Sequence, residues 1–192
     1  MGRALGRAQV PRSNAWFAVL QGLDQRCRQR AVGLPQEEEP EDIWAGILYF
    51  VGKISFLSAL SDIAEVLNIP QGITPVPGTT HWVHGLINHR GTLLPVFDLR
   101  AFLFQAQTAP SAKNRILVVR QSESPFGLLV GDVVGIRHLE SSARMAEAPK
   151  LGESVDRLVS GSFRIGIERK AVFDLQALAQ DSRFNQVVEQ KV

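Results

Sequence analysis

Gly85-Leu-Ile-Asn88-His89-Arg90-Gly91-Thr-Leu-Leu-Pro95-Val-Phe-Asp98-Leu99 carries two strands around one tight turn. Leu86, Thr92, Leu93, Leu94, Val96, Phe97 and Leu99 suit a half-buried pleated surface. Asn88-His89-Arg90-Gly91 supplies the turn, and Asp98 closes the second strand. Part of this stretch is written twice. Val96-Phe97-Asp98-Leu99 returns as Val172-Phe173-Asp174-Leu175, and the same 76-residue offset carries Gly85 onto Gly161 without a gap. The second copy has Arg164, Gly166 and Ala171 where the first has Asn88, Arg90 and Pro95. Folding is thus served without those three residues, which points to a task beyond architecture.

The echo continues upstream. Ile47-Leu48 matches Ile116-Leu117, and Phe56 and Asp62 fall on Phe126 and Asp132 at an offset of 70. Each unit runs strand, turn, strand, strand, hairpin, then Asp opening a short helix, at Asp98 and at Asp174. Aspartate suits a helix start because its carboxylate accepts a bond from an unpaired backbone N–H. The reading is a mainly β protein of two copies of one small unit, about 46–103 and 115–178, with a C-terminal helix to about 188. Two copies of so large a unit are too few for a solenoid.

Composition agrees with a globular chain. The 192 residues are 45% hydrophobic and 21% charged, enough for a real core. No apolar run approaches the roughly 20 residues that span a bilayer. The N-terminus lacks the apolar core of a signal peptide, and a single Cys forms no disulfide framework. The expectation is a cytoplasmic protein without direct membrane insertion.

The basic pI of about 9.0 is local in origin. Arg3, Arg7, Arg12, Arg26, Arg28 and Arg30 face only Asp24 within the first 35 residues, whereas Glu37, Glu38, Glu39, Glu41 and Asp42 follow together. No Lys/Arg run interleaved with aromatics exists, so nucleic acid is not an expected partner. Apolar residues at Trp16, Leu20, Leu23, Cys27 and Ala31 predict an amphipathic helix over about 14–32. The reading of residues 1–43 is a mobile start, this helix and an acidic linker, with the β domain at 44–192. Residues 61–69 and 132–139 read as extended, one helical turn is expected at His81-Trp82-Val83, and residues 140–153 read as a flexible crossover. Pro95 marks an edge strand, since it cannot donate to a ladder.

These residues carry a family resemblance. Thr74-Pro-Val-Pro-Gly78, then Trp82-Val83, Gly85-Leu-Ile-Asn88, Arg90-Gly91, Pro95-Val and Asp98-Leu99, resembles the signature of CheW-type chemotaxis adaptors over about 46–178. Leu23-Asp-Gln-Arg-Cys-Arg28, Gly33-Leu-Pro35 and Trp44-Ala-Gly46-Ile47 are similar to the branch that serves type IV pilus twitching motility. The resemblance implies two duplicated five-stranded SH3-like β-barrels. It implies a non-catalytic adaptor between the cytoplasmic tip of a transmembrane chemoreceptor and the regulatory domain of a CheA-type histidine kinase, recruited to membrane receptor arrays. A flagellar chemotaxis adaptor of the same family is the alternative. Carried over by position, Ile63, Glu65, Gly85, Asn88, Arg90 and Gly91 are the expected partner-binding residues. His89 departs from the family, which usually has leucine there.

Each position also has a plainer reading. Arg90 beside Gly91 can project a planar fork toward a carboxylate, or be a solvated loop arginine. Asn88 can be an ordinary turn residue tolerating left-handed geometry. Glu65 can be an exposed strand residue, and Ile63 a core residue. Trp82 reads as a core or hinge anchor. The rival class is a metal-dependent enzyme built on His81, His84, His89 and His138. A turn-strand-turn path scatters the first three, and no Cys pair joins them. Cys27 has no identifiable catalytic partner, and no phosphate loop or nucleophile elbow is present. The expected sets of catalytic, metal and cofactor residues are therefore empty.

Overall fold

The computed structural model describes residues 42–121 and 124–187. The helix and linker expected within residues 1–41, and any helix beyond 187, lie outside the described residues. In chain order the elements are β1 (Ile43–Val51), β2 (Ile54–Ala59), β3 (Ile63–Asn68), β4 (Val83–His89), β5 (Thr92–Asp98), α1 (Leu99–Phe104), β6 (Arg115–Val119) and β7 (Phe126–Val130). There follow β8 (Val133–Glu140), α2 (Glu153–Asp156), β9 (Val159–Ile165), β10 (Glu168–Phe173), α3 (Leu175–Gln180) and α4 (Ser182–Asn185).

Each sequence copy supplies five strands, β1–β5 and β6–β10, yet neither copy forms a sheet by itself. One sheet has the order β8-β1-β2-β10-β9, and the other β3-β6-β7-β5-β4. Each five-stranded unit therefore takes two strands from one copy and three from the other. The expectation that 46–103 and 115–178 are the two barrels is corrected accordingly: those limits bound the repeats, and the strands are exchanged between them. Parallel pairs join the copies, with Phe56 and Leu57 beside Ala171 and Val172, and Val96 to Asp98 beside Gly127 to Leu129.

The ends of each sheet are drawn together by a short bridge. Thr74, beyond β3, exchanges two backbone hydrogen bonds with Leu86 of β4, at 2.9 and 2.8 Å. Met145, beyond β8, does the same with Ser162 of β9, again at 2.9 and 2.8 Å. The segment 140–153 read as flexible is thus tied by this bridge and by a 3-10 turn at Ser141–Ala143.

Side-chain alternation explains why the exchange is stable. Leu48, Leu57, Phe163 and Val172 form one small cluster within the first sheet, and Ile87, Leu94, Val96, Ile116, Val118 and Leu129 one within the second. Residues of opposite parity on the same strands, including Ile47, Tyr49, Phe56, Phe97, Leu117, Val119 and Leu128, join the largest cluster, which draws on both sheets. Strands buried on both faces read as continuous apolar runs, as residues 116–119 and 126–130 do. Phe184 of α4 belongs to this shared core, with ring centroids 4.8, 5.2 and 5.5 Å from Phe97, Phe102 and Phe126.

The aspartates do what their spacing predicts. Asp98 Oδ1 accepts from the backbone N–H of Arg100 and Ala101 at 3.0 and 3.1 Å, and Asp174 caps α3 through Gln176 and Ala177. Asp98 also accepts from the N–H and hydroxyl of Thr108. A second break at Asp181, which accepts from Arg183 N–H, divides the C-terminal helix into α3 and α4. Two local expectations change. Residues 80–83 form a single hydrogen-bonded turn, with Val83 N–H donating to the Thr80 carbonyl at 3.0 Å, in place of a helical one, and β4 begins at Val83. Pro95 lies in an interior strand, because β5 sits between β7 and β4. Its missing donor faces the β7 side, where pairing starts only at Val96.

Candidate functional site

The β4–β5 hairpin closes with a two-residue loop, His89 opposite Thr92. Such loops follow the right-handed strand twist when both central residues have positive φ. Arg90 (53°) and Gly91 (82°) both do. The left-handed residue is thus Arg90 and not Asn88, whose Oδ1 instead accepts the Gly91 N–H at 2.9 Å and pins the loop. An L-residue in this conformation costs about 1–2 kcal/mol, and arginine is an expensive choice there. The second copy places Gly166, at 62°, in the same position.

Arg90 reaches across the sheet's closure. Its Nη2 donates to Glu65 Oε1 at 3.0 Å. Glu65 lies on β3, at the opposite end of the strand order from β4. The other carboxylate oxygen, Oε2, is 3.2 Å from His89 Nε2. Glu65 thus ties the turn to the far edge of its own sheet through two adjacent residues. The Arg90 side chain is 75% exposed. An exposed ion pair contributes about 0–1 kcal/mol, no more than the turn strain it accompanies. Stability therefore gives no reason for an arginine at this place. In the second copy the position equivalent to Glu65 is Gly135 and that of Arg90 is Gly166, so the clasp has no counterpart there.

Of the six residues expected at a partner surface, the structure brings four together: Glu65, Asn88, Arg90 and Gly91. Two are corrected. Ile63 is only 4% exposed and belongs to the shared core. Gly85 is buried under the Thr74 carbonyl, where the bridge leaves no room for a side chain. Sequence reasoning did not include His89 in the site. Its pairing needed the closure of β3 onto β4, which no local pattern reveals.

Further residues enter from exposure. Val66 on β3 and Val134 and Ile136 on β8 are large apolar side chains left 38%, 45% and 48% exposed. Val66 and Ile136 are equivalent at the offset of 70, and they occupy end strands of the two sheets. Their signal in the sequence is apolar residues on both parities of a strand that is not buried on both faces. Among the described residues no group of three His, Cys, Asp or Glu side chains could hold a metal ion. His81, His84 and His138 are exposed, and His89 is held by Glu65. No described helix is long and apolar enough to cross a membrane.

Comparison with known proteins places this geometry. The family model of the CheW-like domain matches residues 45–183. PilI of Pseudomonas aeruginosa is 34% identical over 168 residues, covering 88% of this chain and 93% of PilI. The chemotaxis protein CheW of Helicobacter pylori is 28% identical over 111 residues, 58% of this chain and 66% of that protein. Among solved structures, the scaffolding protein TtCheW of Thermoanaerobacter tengcongensis superposes with a TM-score of 0.61 at 21% identity. That match covers 69% of this chain and 89% of TtCheW. The exchanged five-stranded sheets, the turn signature and a match over most of the length agree, and this chain belongs to the CheW-like domain family.

Proposed function

We propose that this protein is a non-catalytic cytoplasmic adaptor that couples a methyl-accepting chemoreceptor to a CheA-type histidine kinase, in a chemosensory pathway controlling type IV pili. The observation that carries the reading is Arg90. It is held in a left-handed turn conformation, mostly exposed and clasped by Glu65, where the other copy has glycine at both positions. Strain kept at an exposed charged residue is a mark of function, and arginine is enriched where interfaces concentrate their energy. The turn Asn88–Gly91 is the kinase-facing surface in this reading. The exposed Val66, Val134 and Ile136 are the apolar side chains offered to the receptor tip in this reading. Likeness to PilI over nearly its whole length favours pilus over flagellar output.

The adaptor works by holding both partners, so that a change in the receptor biases the kinase through a coupling of about 1–3 kcal/mol. Autophosphorylation of the cognate kinase with a receptor signalling fragment tests this. Activation that requires the adaptor and falls with Arg90→Ala supports the reading. Normal activation by a normally folded Arg90→Ala protein refutes the role of the turn.

A further inference from the structure

His89 takes up the second oxygen of the carboxylate that holds Arg90. The distances are 3.2 Å from His89 Nε2 to Glu65 Oε2 and 3.0 Å from Arg90 Nη2 to Glu65 Oε1. The His89 side chain is 24% exposed and that of Arg90 75%, so His89 buttresses while Arg90 projects. Few other charges bear on this group. On β3 Glu65 is the sole titratable residue, and on β4 His84 is the only other. On β5 there is only Asp98, buried at the far end of the strand. Beyond β3, Arg115 of β6 stands opposite Asn68. Among the described residues, the charge at the tip is therefore set by three side chains.

With a neutral imidazole, Arg90 and Glu65 cancel. With an imidazolium, the cluster carries a net positive charge, and one carboxylate is shared by two cations. Sharing loosens the hold of Glu65 on the guanidinium and leaves more of its fork for an outside acceptor. Resting on the reading that the Arg90 turn meets the kinase, we propose that His89 is a positioning and specificity-determining residue. It makes this contact proton-dependent and selects a partner surface that presents a carboxylate to the turn. Histidine is the side chain whose ordinary charge change lies closest to neutral pH. The second copy has Ile165 in place of His89 and no clasp to tune.

The test is the affinity of the full-length chain for the kinase regulatory domain, by calorimetry at about pH 6 and about pH 8. Wild type binds about threefold tighter at the lower pH, the size expected of one exposed charge. His89→Gln, a neutral donor at both values, stays at the weaker level. His89→Arg, a fixed charge, stays at the tighter one. Ratios to wild type at each pH cancel titrations on the kinase, and urea melts establish that the variants fold. A wild-type pH ratio retained by His89→Gln, or tighter wild-type binding at the higher pH, overturns the proposal while the Arg90 reading stands. Arg90→Ala binding as tightly as wild type overturns the Arg90 reading itself.

Discussion

Gly85 and Gly161, one in each copy, hold the same backbone shape, with φ of 143° and 140°. Each lies under the carbonyl that bridges to the next residue of its strand. A Cβ on Gly85 would stand 2.5 Å from the Thr74 oxygen, and one on Gly161 2.6 Å from the Met145 oxygen. The close approach that closes each sheet is the physical reason that the offset carries one glycine onto the other. Gly85→Ala and Gly161→Ala should each lower the unfolding free energy by about 3 kcal/mol, since both backbone strain and a main-chain clash arise. Urea denaturation measures this. A fully stable Gly85→Ala protein that has lost kinase binding would return Gly85 to the interface.

Arg90→Gly should separate stability from binding in the opposite sense. Glycine takes positive φ without steric cost, while the exposed ion pair it removes contributes about 0–1 kcal/mol. The melt should therefore stay within about 1 kcal/mol of wild type or improve, and kinase activation should fall. A destabilisation above about 2 kcal/mol would mean that the clasp holds the sheet closed.

Tyr49, the single tyrosine of the chain, is fully buried, with its hydroxyl 3.0 Å from Ser58 Oγ. Ser58 in turn donates to the Phe173 carbonyl at 2.9 Å. Burial pushes the phenol well above its usual value, against a smaller lowering by Ser58. A raised value in the folded state gives stability that is whole below the unfolded value of about 10 and lost as pH rises past it. Phenolate absorbance should appear only together with unfolding, and Tyr49→Phe should unfold at higher pH than wild type. Phenolate formed in a protein with intact circular dichroism would show that this side chain is accessible.

Phe184→Ala should cost about 3–5 kcal/mol, because it empties the place between Phe97, Phe102 and Phe126. Calorimetry checks this. A loss below about 1 kcal/mol would mean that the neighbouring rings close the gap.

The copies were legible because Val96-Phe97-Asp98-Leu99 is repeated outright, and the helix starts because Asp98 and Asp174 carry a local signal. The strand exchange was not. An offset says which residues are equivalent and is silent on which strands meet; only the doubly buried runs at 116–119 and 126–130 hinted at it. Pro95 misled for a related reason, since a missing donor marks an unpaired position and not always an unpaired strand. At the candidate site Arg90 stood out by its absence from the second copy. Its partner His89 did not, because the Glu65 link runs between strands distant in sequence and in sheet order.

The exchange of strands also dictates the order of events on the ribosome. Everything needed for the sheet of β3 to β7 has been made once residue 130 has emerged, while β1 and β2 still await β8, β9 and β10. A nascent chain therefore completes its middle first and holds an N-terminal hairpin in reserve until the last strand, Glu168–Phe173, can lie beside Phe56 and Leu57. Chains cut short before that strand expose the hairpin's apolar face, and exposed apolar surface is what chaperones and proteases read. Only a chain that extends through Phe173 can bury it beside β10.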